Sequence, residues 1–362
     1  MKQKVITFAG TRPELIRLSV LLKKLDETFD HIFVYTGQNF TDELSTIFFR
    51  DLEIRKPDYH FNFAFTSLSE FLSQLYLEAG VIVEKEQPDV AVLLGDTNTG
   101  LVTILLERMG VSVFHIEAGN RCFNDNTPEE LNRRVIDKAS SYNLVYSEYA
   151  RRNLLNEGFL NENIFKIGSP MREVLSNYAE KIERSSALSD NRLVSKKYFL
   201  TSLHRQENID DNSTRTQLLT ALNLVAEEYE LPIIVSSHPR LKDALSESKD
   251  FHKLIRLAQP FGFFDWCKLQ KEALLTISDS GSISEEASIL RFKAVTPRVT
   301  IERQEAIEAG TIIRCNPTLR AVQESVRYAI CHDTMLRSAI PEDYMINNTS
   351  DRVVSTIINH RL

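Results

Sequence analysis

The stretch Ser278-Asp279-Ser280-Gly281-Ser282-Ile283-Ser284-Glu285-Glu286 follows the apolar run Ala273-Leu274-Leu275-Thr276-Ile277 and leads into Ala287-Ser288-Ile289-Leu290. It reads as strand, tight turn and helix. At such a turn the first backbone N–H groups of the helix lack intrahelical partners. The helix dipole turns its positive end outward, and small Ser and Gly side chains let an anion come close. A phosphate fits there, and Glu285 or Glu286, one turn into the helix, can accept hydrogen bonds from sugar hydroxyls beside it. The same nonapeptide also reads as a helix capped by Ser280 or Ser282 with nothing bound.

The strand, turn and helix unit recurs on both sides of this stretch. Val5-Ile6-Thr7-Phe8-Ala9 closes at Gly10-Thr11-Arg12-Pro13, and apolar residues at helical spacing run from Glu14 to Leu25. His31 to Tyr35 repeats the strand signal, followed by helical patterns from about Thr41 to Leu52 and from Ser67 to Lys85. Val90 to Leu94 stops at Gly95-Asp96-Thr97, and Val111 to Ile116 stops at Glu117-Ala118-Gly119. A second series begins at Tyr198 to Leu203, ending in His204-Arg205, and continues through Pro232 to Ser237, ending in His238-Pro239-Arg240. Helices are expected from about Leu319 to His332 and from Asp351 to His360.

Strands this apolar, alternating with helices, predict an α/β protein with parallel sheets covered on both faces. A chain of 362 residues is longer than one core usually supports. The polar segment from Arg184 to Lys197 reads as a loop near a domain junction. The expectation is therefore an N-terminal domain over 1–180 carrying the carboxylates and a C-terminal domain over 181–349 carrying the anion site. The last helix, 350–362, is expected to pack back on the first domain. Two such halves facing each other would turn their polar strand ends into a central cleft.

Composition narrows the partners. Hydrophobic residues at 43% and charged residues at 26% suit a globular protein with a large core. A formal net charge of −7 without any basic run or basic-aromatic stripe argues against nucleic acid. Cys122, Cys267, Cys315 and Cys331 are scattered without CxxC spacing, which excludes the usual zinc and disulfide frameworks and suits a reducing compartment. The N-terminus enters a strand with no signal-peptide pattern, and no apolar run approaches membrane-spanning length, so a cytoplasmic location and no membrane partner are expected.

Several polar residues fall at strand ends or helix starts. In Thr127-Pro128-Glu129-Glu130-Leu131-Asn132-Arg133-Arg134, Thr127 suits an N-cap, Pro128 the first helical position and Glu130 a capping box. Glu129 has no such explanation, and Arg133 lies four residues on, so the two can pair on one face. Asp96 either caps the helix starting near Asn98 or acts in chemistry. Glu117, ending an apolar run, needs a partner or a function. Arg12 beside Gly10 suits a phosphate or nucleobase, or is a surface charge. His204 and His238 end strands of the second series; such histidines are more often structural, but here they flank the anion site, and His238 is a candidate ligand contact. Three carboxylates in one domain and an anion site in the other suit removal of a weakly acidic sugar proton with loss of a diphosphate leaving group.

Gly10-Thr11-Arg12-Pro13-Glu14, Gly95-Asp96-Thr97, His115-Ile116-Glu117-Ala118-Gly119, Pro128 to Arg133, His204-Arg205 and Asp279-Ser280-Gly281 with Glu285-Glu286, in this order, resemble the non-hydrolysing UDP-N-acetylglucosamine 2-epimerase family. The likeness runs from the N-terminus to about Gly310. It implies a fold like that of GT-B glycosyltransferases, with two Rossmann-like domains and the site between them, in a homodimer. It implies elimination of UDP to a 2-acetamidoglycal and re-addition with C2 inverted, with no cofactor and no metal. Carried over by motif, Asp96, Glu117 and Glu129 are acid/base carboxylates, supported by Arg133 and His204. Arg12, Ser280, Gly281, Ser282 and Glu286 become UDP contacts, the last through ribose.

The departures bear on the substrate. Gly37-Gln38-Asn39-Phe40-Thr41 stands where relatives tend to read GQHRE, and His204-Arg205-Gln206-Glu207 where they read HRRE, which puts regulation by a second UDP-sugar in doubt. Glu302-Arg303-Gln304-Glu305-Ala306 stands in place of ERPEA. Asn120-Arg121-Cys122-Phe123 and Gly168-Ser169-Pro170-Met171 look more like a branch of capsule and O-antigen synthesis that makes UDP-N-acetyl-L-fucosamine from the L-talosamine compound. The expected substrate is thus a UDP-activated N-acetylated amino sugar, with UDP-N-acetylglucosamine the runner-up. A GT-B glycosyltransferase would need fewer carboxylates, and a UDP-sugar sensor no turnover. A nicotinamide dehydrogenase is disfavoured because no GxGxxG follows the first strand.

Overall fold

Thirteen short strands form two separate parallel sheets in the structure, a computed structural model that describes residues 2–37, 48–61, 63, 65–236 and 252–360. The chain divides into one unit of Met1–Asn177 with Ile346–Leu362 and a second of Tyr178–Met345.

The first unit holds seven strands in the order β3-β2-β1-β4-β5-β6-β7. They are β1 (Lys4–Ala9), β2 (Asp30–Tyr35), β3 (Tyr59–His60), β4 (Val90–Leu94), β5 (Ser112–Ala118), β6 (Tyr142–Val145) and β7 (Ile164–Lys166), all paired in parallel. A parallel strand inside a sheet is covered on both faces, which is why Val5, Ile6, Phe8 and Ala9 of β1 and all of β4 are buried. After β1 the helix Arg12–Thr28 starts with Thr11 at its N-cap and proline in its first turn, where the missing N–H is no loss. The helix Leu68–Glu86 is capped by the Ser67 hydroxyl, which accepts from Glu70 N–H, and buries Phe71, Leu75, Ala79 and Ile82 against Ile6, Phe8, Ala91 and Val113 of the sheet. Each such leucine or phenylalanine stabilises the fold by about 1.5–3 kcal/mol.

The last helix, Thr349–Asn359, is part of this first unit. Val353 and Ile357 are fully buried, the Thr349 hydroxyl donates to the Ile167 and Ser169 carbonyls, and Ser350 donates to Glu173 through both N–H and hydroxyl.

The second unit holds β8 (Phe199–Ser202), β9 (Ile233–Ser236), β10 (Ile255–Ala258), β11 (Leu275–Ser278), β12 (Ala294–Pro297) and β13 (Ile313–Cys315), in the order β10-β9-β8-β11-β12-β13 and again parallel. The helices Asn212–Tyr229 and Leu319–Cys331 bring Leu218, Leu222, Val225, Val322 and Val326 onto Phe199, Ile233, Leu275 and Val295. The segment expected as a plain loop between Arg184 and Lys197 contains a short helix, Ala187–Asp190. Ala187 and Leu193 are buried there with Tyr198, Leu200 and Leu269, too few apolar positions to show as a period in sequence.

In each sheet the strand order reverses once next to the first strand, between β1 and β4 and between β8 and β11. In open parallel sheets ligands bind beyond the carboxyl ends of the strands at that reversal.

Candidate active site

At the first reversal, Arg12 opens the helix after β1, Asp96 lies in the turn after β4, Glu117 is the next-to-last residue of β5, and the helix Pro128–Ala139 supplies Glu129 and Arg133. Arg133 is 6% exposed and pairs with Asp96 at 2.6 Å and with Glu130 at 2.9 Å. Its guanidinium also lies 3.7 Å from the Cys122 sulfur. Asn132 donates to the Asp96 carbonyl, so this helix grips both the side chain and the backbone of Asp96.

Three sequence expectations change here. Asp96 does not cap the 3-10 turn Asn98–Val102, whose N-cap is Thr97; its carboxylate faces Arg133 instead. Arg133 takes Asp96 and Glu130 as its ion partners, while Glu129 stands partly exposed in the first turn of the helix. Glu130 is not a capping-box residue: Thr127 makes no side-chain cap, and Glu130 accepts from the N–H groups of Cys122 and Phe123. Burial pushes the Glu130 carboxyl up, but those donors and Arg133 outweigh it and hold it below the usual range.

Glu117 has φ +75, in the left-handed region, at a register shift between Ile116 and Ala118 in the β5–β6 pairing. A non-glycine residue there costs about 1–3 kcal/mol and persists only where its surroundings enforce it. The enforcement is visible on both sides of Glu117. Gly95 N–H donates to the Ile116 carbonyl at 2.9 Å. His115 is fully buried, with Nδ1 2.8 Å from Asp137 and Nε2 2.8 Å from the Gly95 carbonyl. The buried Asp137 carboxylate also accepts from Gly119 N–H and from Arg121, whose other nitrogens clasp Glu157 at 2.7 Å. A Cβ on Gly119, itself at φ +77, would lie 2.4 Å from the Ala150 carbonyl oxygen. The Glu117 carboxylate accepts from Asn120 Nδ2 and from the Tyr146 hydroxyl, each at 3.2 Å, and lies 4.0 Å from Arg17 Nε.

Beside Arg12, Glu14 forms the capping box of the first helix. Its Oε2 accepts from Gly10 N–H, Thr11 N–H and the Thr11 hydroxyl, and its Oε1 accepts from the Thr97 hydroxyl of the Asp96 loop. Burial outweighs these four donors and raises the carboxyl to about 7. The Arg12 guanidinium lies over the Phe48 ring at 5.4 Å.

At the second reversal, His204 and Arg205 follow β8, and Ser280, Gly281 and Ser282 follow β11. The fully buried Asp279 joins them, accepting from His204 N–H at 3.0 Å, Arg205 N–H at 3.1 Å and Asn208 Nδ2 at 3.0 Å. His204 Nδ1 lies 3.2 Å from the same carboxylate, with its side chain 39% exposed. Neither serine hydroxyl caps the helix Ile283–Leu290: Ser282 is its N-cap without a side-chain bond, and the Ser280 and Ser282 hydroxyls pair with each other at 3.0 Å. The capping explanation of these serines therefore fails. Glu285 is fully buried and pairs with Arg303, whereas Glu286 accepts from the buried amide of Gln270 at 2.6 Å. A Cβ on Gly281 would lie 3.0 Å from Arg303 and 3.5 Å from Arg205, so two guanidinium groups border the turn. His238 lies outside the described residues.

Sequence reading gave no role to Glu14, Arg17, Tyr146, Arg205 or Arg303. Glu14 carried a signal, three residues after Thr11. Tyr146 carried none.

The chain matches the family model described as UDP-N-acetylglucosamine 2-epimerase over residues 23–358. It is 36% identical over 320 residues to the UDP-N-acetylglucosamine 2-epimerase of Methanocaldococcus jannaschii, covering 86% of this chain and 87% of that one. Over 332 residues it is 31% identical to the UDP-2,3-diacetamido-2,3-dideoxy-D-glucuronate 2-epimerase of Pseudomonas aeruginosa, covering 90% of this chain and 92% of that one. The crystal structure of the Methanocaldococcus jannaschii UDP-GlcNAc 2-epimerase in complex with UDP-GlcNAc and UDP superposes with a TM-score of 0.91 at 31% identity, covering 99% of this chain and 100% of that one.

Proposed function

The chain belongs to the UDP-N-acetylglucosamine 2-epimerase family of isomerases, and from that premise we propose that it epimerises C2 of a UDP-2-acetamido sugar by eliminating and re-adding UDP. The observation that carries the reading is the clustering of Asp96, Glu117, Arg133 and Glu130 at the β1/β4 reversal, together with the strained backbone of Glu117. In the forward step the C2–H bond gives its proton to a carboxylate, C1=C2 forms, and the C1–O bond breaks with its electron pair leaving on UDP. The return step delivers a proton to the opposite face of C2 as UDP adds back to C1.

Asp96, Glu117 and Glu129 are the acid/base candidates, since inversion needs a group for each face. Arg133 neutralises Asp96 and fixes its direction. In the second unit Ser280, Gly281 and Ser282, at the positive end of the dipole of the helix Ile283–Leu290, receive the diphosphate, and Glu286 takes the ribose hydroxyls. His204, held by Asp279, lies beside that turn. Arg12 and His238 complete the UDP contacts in this reading, and the protein acts as a homodimer.

For the sugar, the proposal is UDP-2-acetamido-2,6-dideoxy-L-talose going to UDP-N-acetyl-L-fucosamine in polysaccharide precursor synthesis. It rests on the likeness of Asn120-Arg121-Cys122-Phe123 and Gly168-Ser169-Pro170-Met171 to the branch that makes that product. UDP-N-acetylglucosamine is the second reading, favoured by the relative from Methanocaldococcus jannaschii. Incubating the protein with each sugar nucleotide separately and assigning the products by NMR decides between them. Conversion of only the L-sugar sustains the first reading, conversion of only UDP-N-acetylglucosamine the second.

A further inference from the structure

Glu117 reaches its position by a bulge and a left-handed backbone, which re-aim one side chain but leave its carboxyl group free to rotate. What stops that rotation comes from neighbouring elements. Asn120 Nδ2 approaches Oε1 at 3.2 Å from the loop after β5, and the Tyr146 hydroxyl approaches Oε2 at 3.2 Å from the residue after β6. The Tyr146 ring is 2% exposed, and the guanidinium of Arg17 stands 5.9 Å from its centroid and 4.0 Å from the same Oε2.

A buried tyrosine usually finds some partner for its hydroxyl, and a backbone carbonyl serves that need as well as a carboxylate does. Here the hydroxyl meets Glu117, a strand-end carboxylate on a strained, left-handed backbone. An ionised carboxylate accepts at about four positions. Asn120 and Tyr146 occupy one on each oxygen and set the plane of the group, so its orientation is directed by the protein rather than by solvent.

Resting on the proposed C2 epimerisation, we infer that Tyr146 is a positioning residue for Glu117, its hydroxyl fixing the carboxylate plane for proton transfer at C2. Tyr146 touches no reacting atom in this account and acts only through Glu117. Misplacing a reacting group by about 1 Å costs about 100-fold in rate. Loss of the Tyr146 bond alone is expected to cost roughly 10-fold.

The test is a double-mutant cycle on the full-length protein with the UDP-sugar that the wild type converts, following C2 deuterium uptake and steady-state kinetics. Tyr146→Phe is expected to lower kcat about 10-fold while KM stays within about 2-fold. In a Glu117→Asp background, whose shorter side chain withdraws from the hydroxyl, Tyr146→Phe is expected to change kcat less than 2-fold. Circular dichroism and UDP titration verify folding, and Tyr146→Met provides a second hydroxyl-free side chain should the phenylalanine protein not fold. An equal loss in both backgrounds, a loss confined to KM, or no loss at all overturns the inference. Wild-type protein that exchanges no C2 proton overturns instead the functional reading beneath it, and this inference with it.

Discussion

Replacing Glu14 by Gln should make the stability of the protein less sensitive to pH near neutrality. Glu14 sits in the capping box that ties the β1 turn to the Asp96 loop, and burial raises its carboxyl from 4.5 to about 7. A carboxyl whose folded value is raised binds more protons folded than unfolded between those two values. Stability is therefore full below 4.5, falls as pH rises, and levels off above about 7. At 1.36 kcal/mol per unit, the span of about 2.5 units corresponds to about 3 kcal/mol. For a unit of this size that is roughly 6–12 °C in Tm. The glutamine variant keeps the side-chain shape and removes the titration. Urea unfolding of both proteins at pH 5, 6, 7 and 8 should show the variant gaining about 3 kcal/mol on the wild type across the series. Parallel curves would refute the reasoning and mean that the four donors keep Glu14 ionised throughout.

Asp137→Asn removes the charge shared by His115, Gly119 N–H and Arg121 in the first unit, leaving Arg121 with Glu157, and should cost about 3–5 kcal/mol in urea unfolding. Burial pushes the Asp137 carboxyl up, but His115 and Arg121 hold it below its ordinary value of 3.8. That stability is present above the unfolded value and lost as pH falls through the folded one, so the difference from wild type should narrow below about pH 4. Gly119→Ala adds a Cβ 2.4 Å from the Ala150 oxygen at φ +77 and should lower Tm measurably, with at least about 1–3 kcal/mol lost. Glu117→Gln should lower the rate of C2 deuterium exchange by about 10²–10⁴-fold while UDP affinity, measured by calorimetry, is little changed.

Much of the fold was legible because buried parallel strands are nearly pure apolar runs. Val90–Leu94 is the same segment in sequence and structure. Strand β6 was not foreseen, since Asn143 interrupts its run; the residue is buried because its amide donates to the Asp137 carbonyl. A bond from a strand residue back to the end of the preceding helix, six residues away, follows no strand or helix period and so leaves no trace in the pattern. The site divides similarly. Asp96, Glu117 and Arg133 announced themselves as polar residues at strand ends or helix starts. Glu130 looked like a cap because Thr127 stands three residues before it, yet the helix spends that carboxylate on the Cys122 loop. Tyr146 and Arg17 drew no reading at all, because nothing near them in sequence points to Glu117. Only the adjacency of β5 and β6, and of the first helix to them, brings both to Glu117.

The most direct test of the central claim is proton NMR of the wild-type protein in D2O with a UDP-2-acetamido sugar, following the C2 proton and released UDP. The account predicts loss of the C2 signal through deuterium incorporation, with the C2 epimer appearing at a matching rate. An epimer formed with its original C2 proton retained, or folded, UDP-binding protein that exchanges no C2 proton in either candidate sugar, would contradict it.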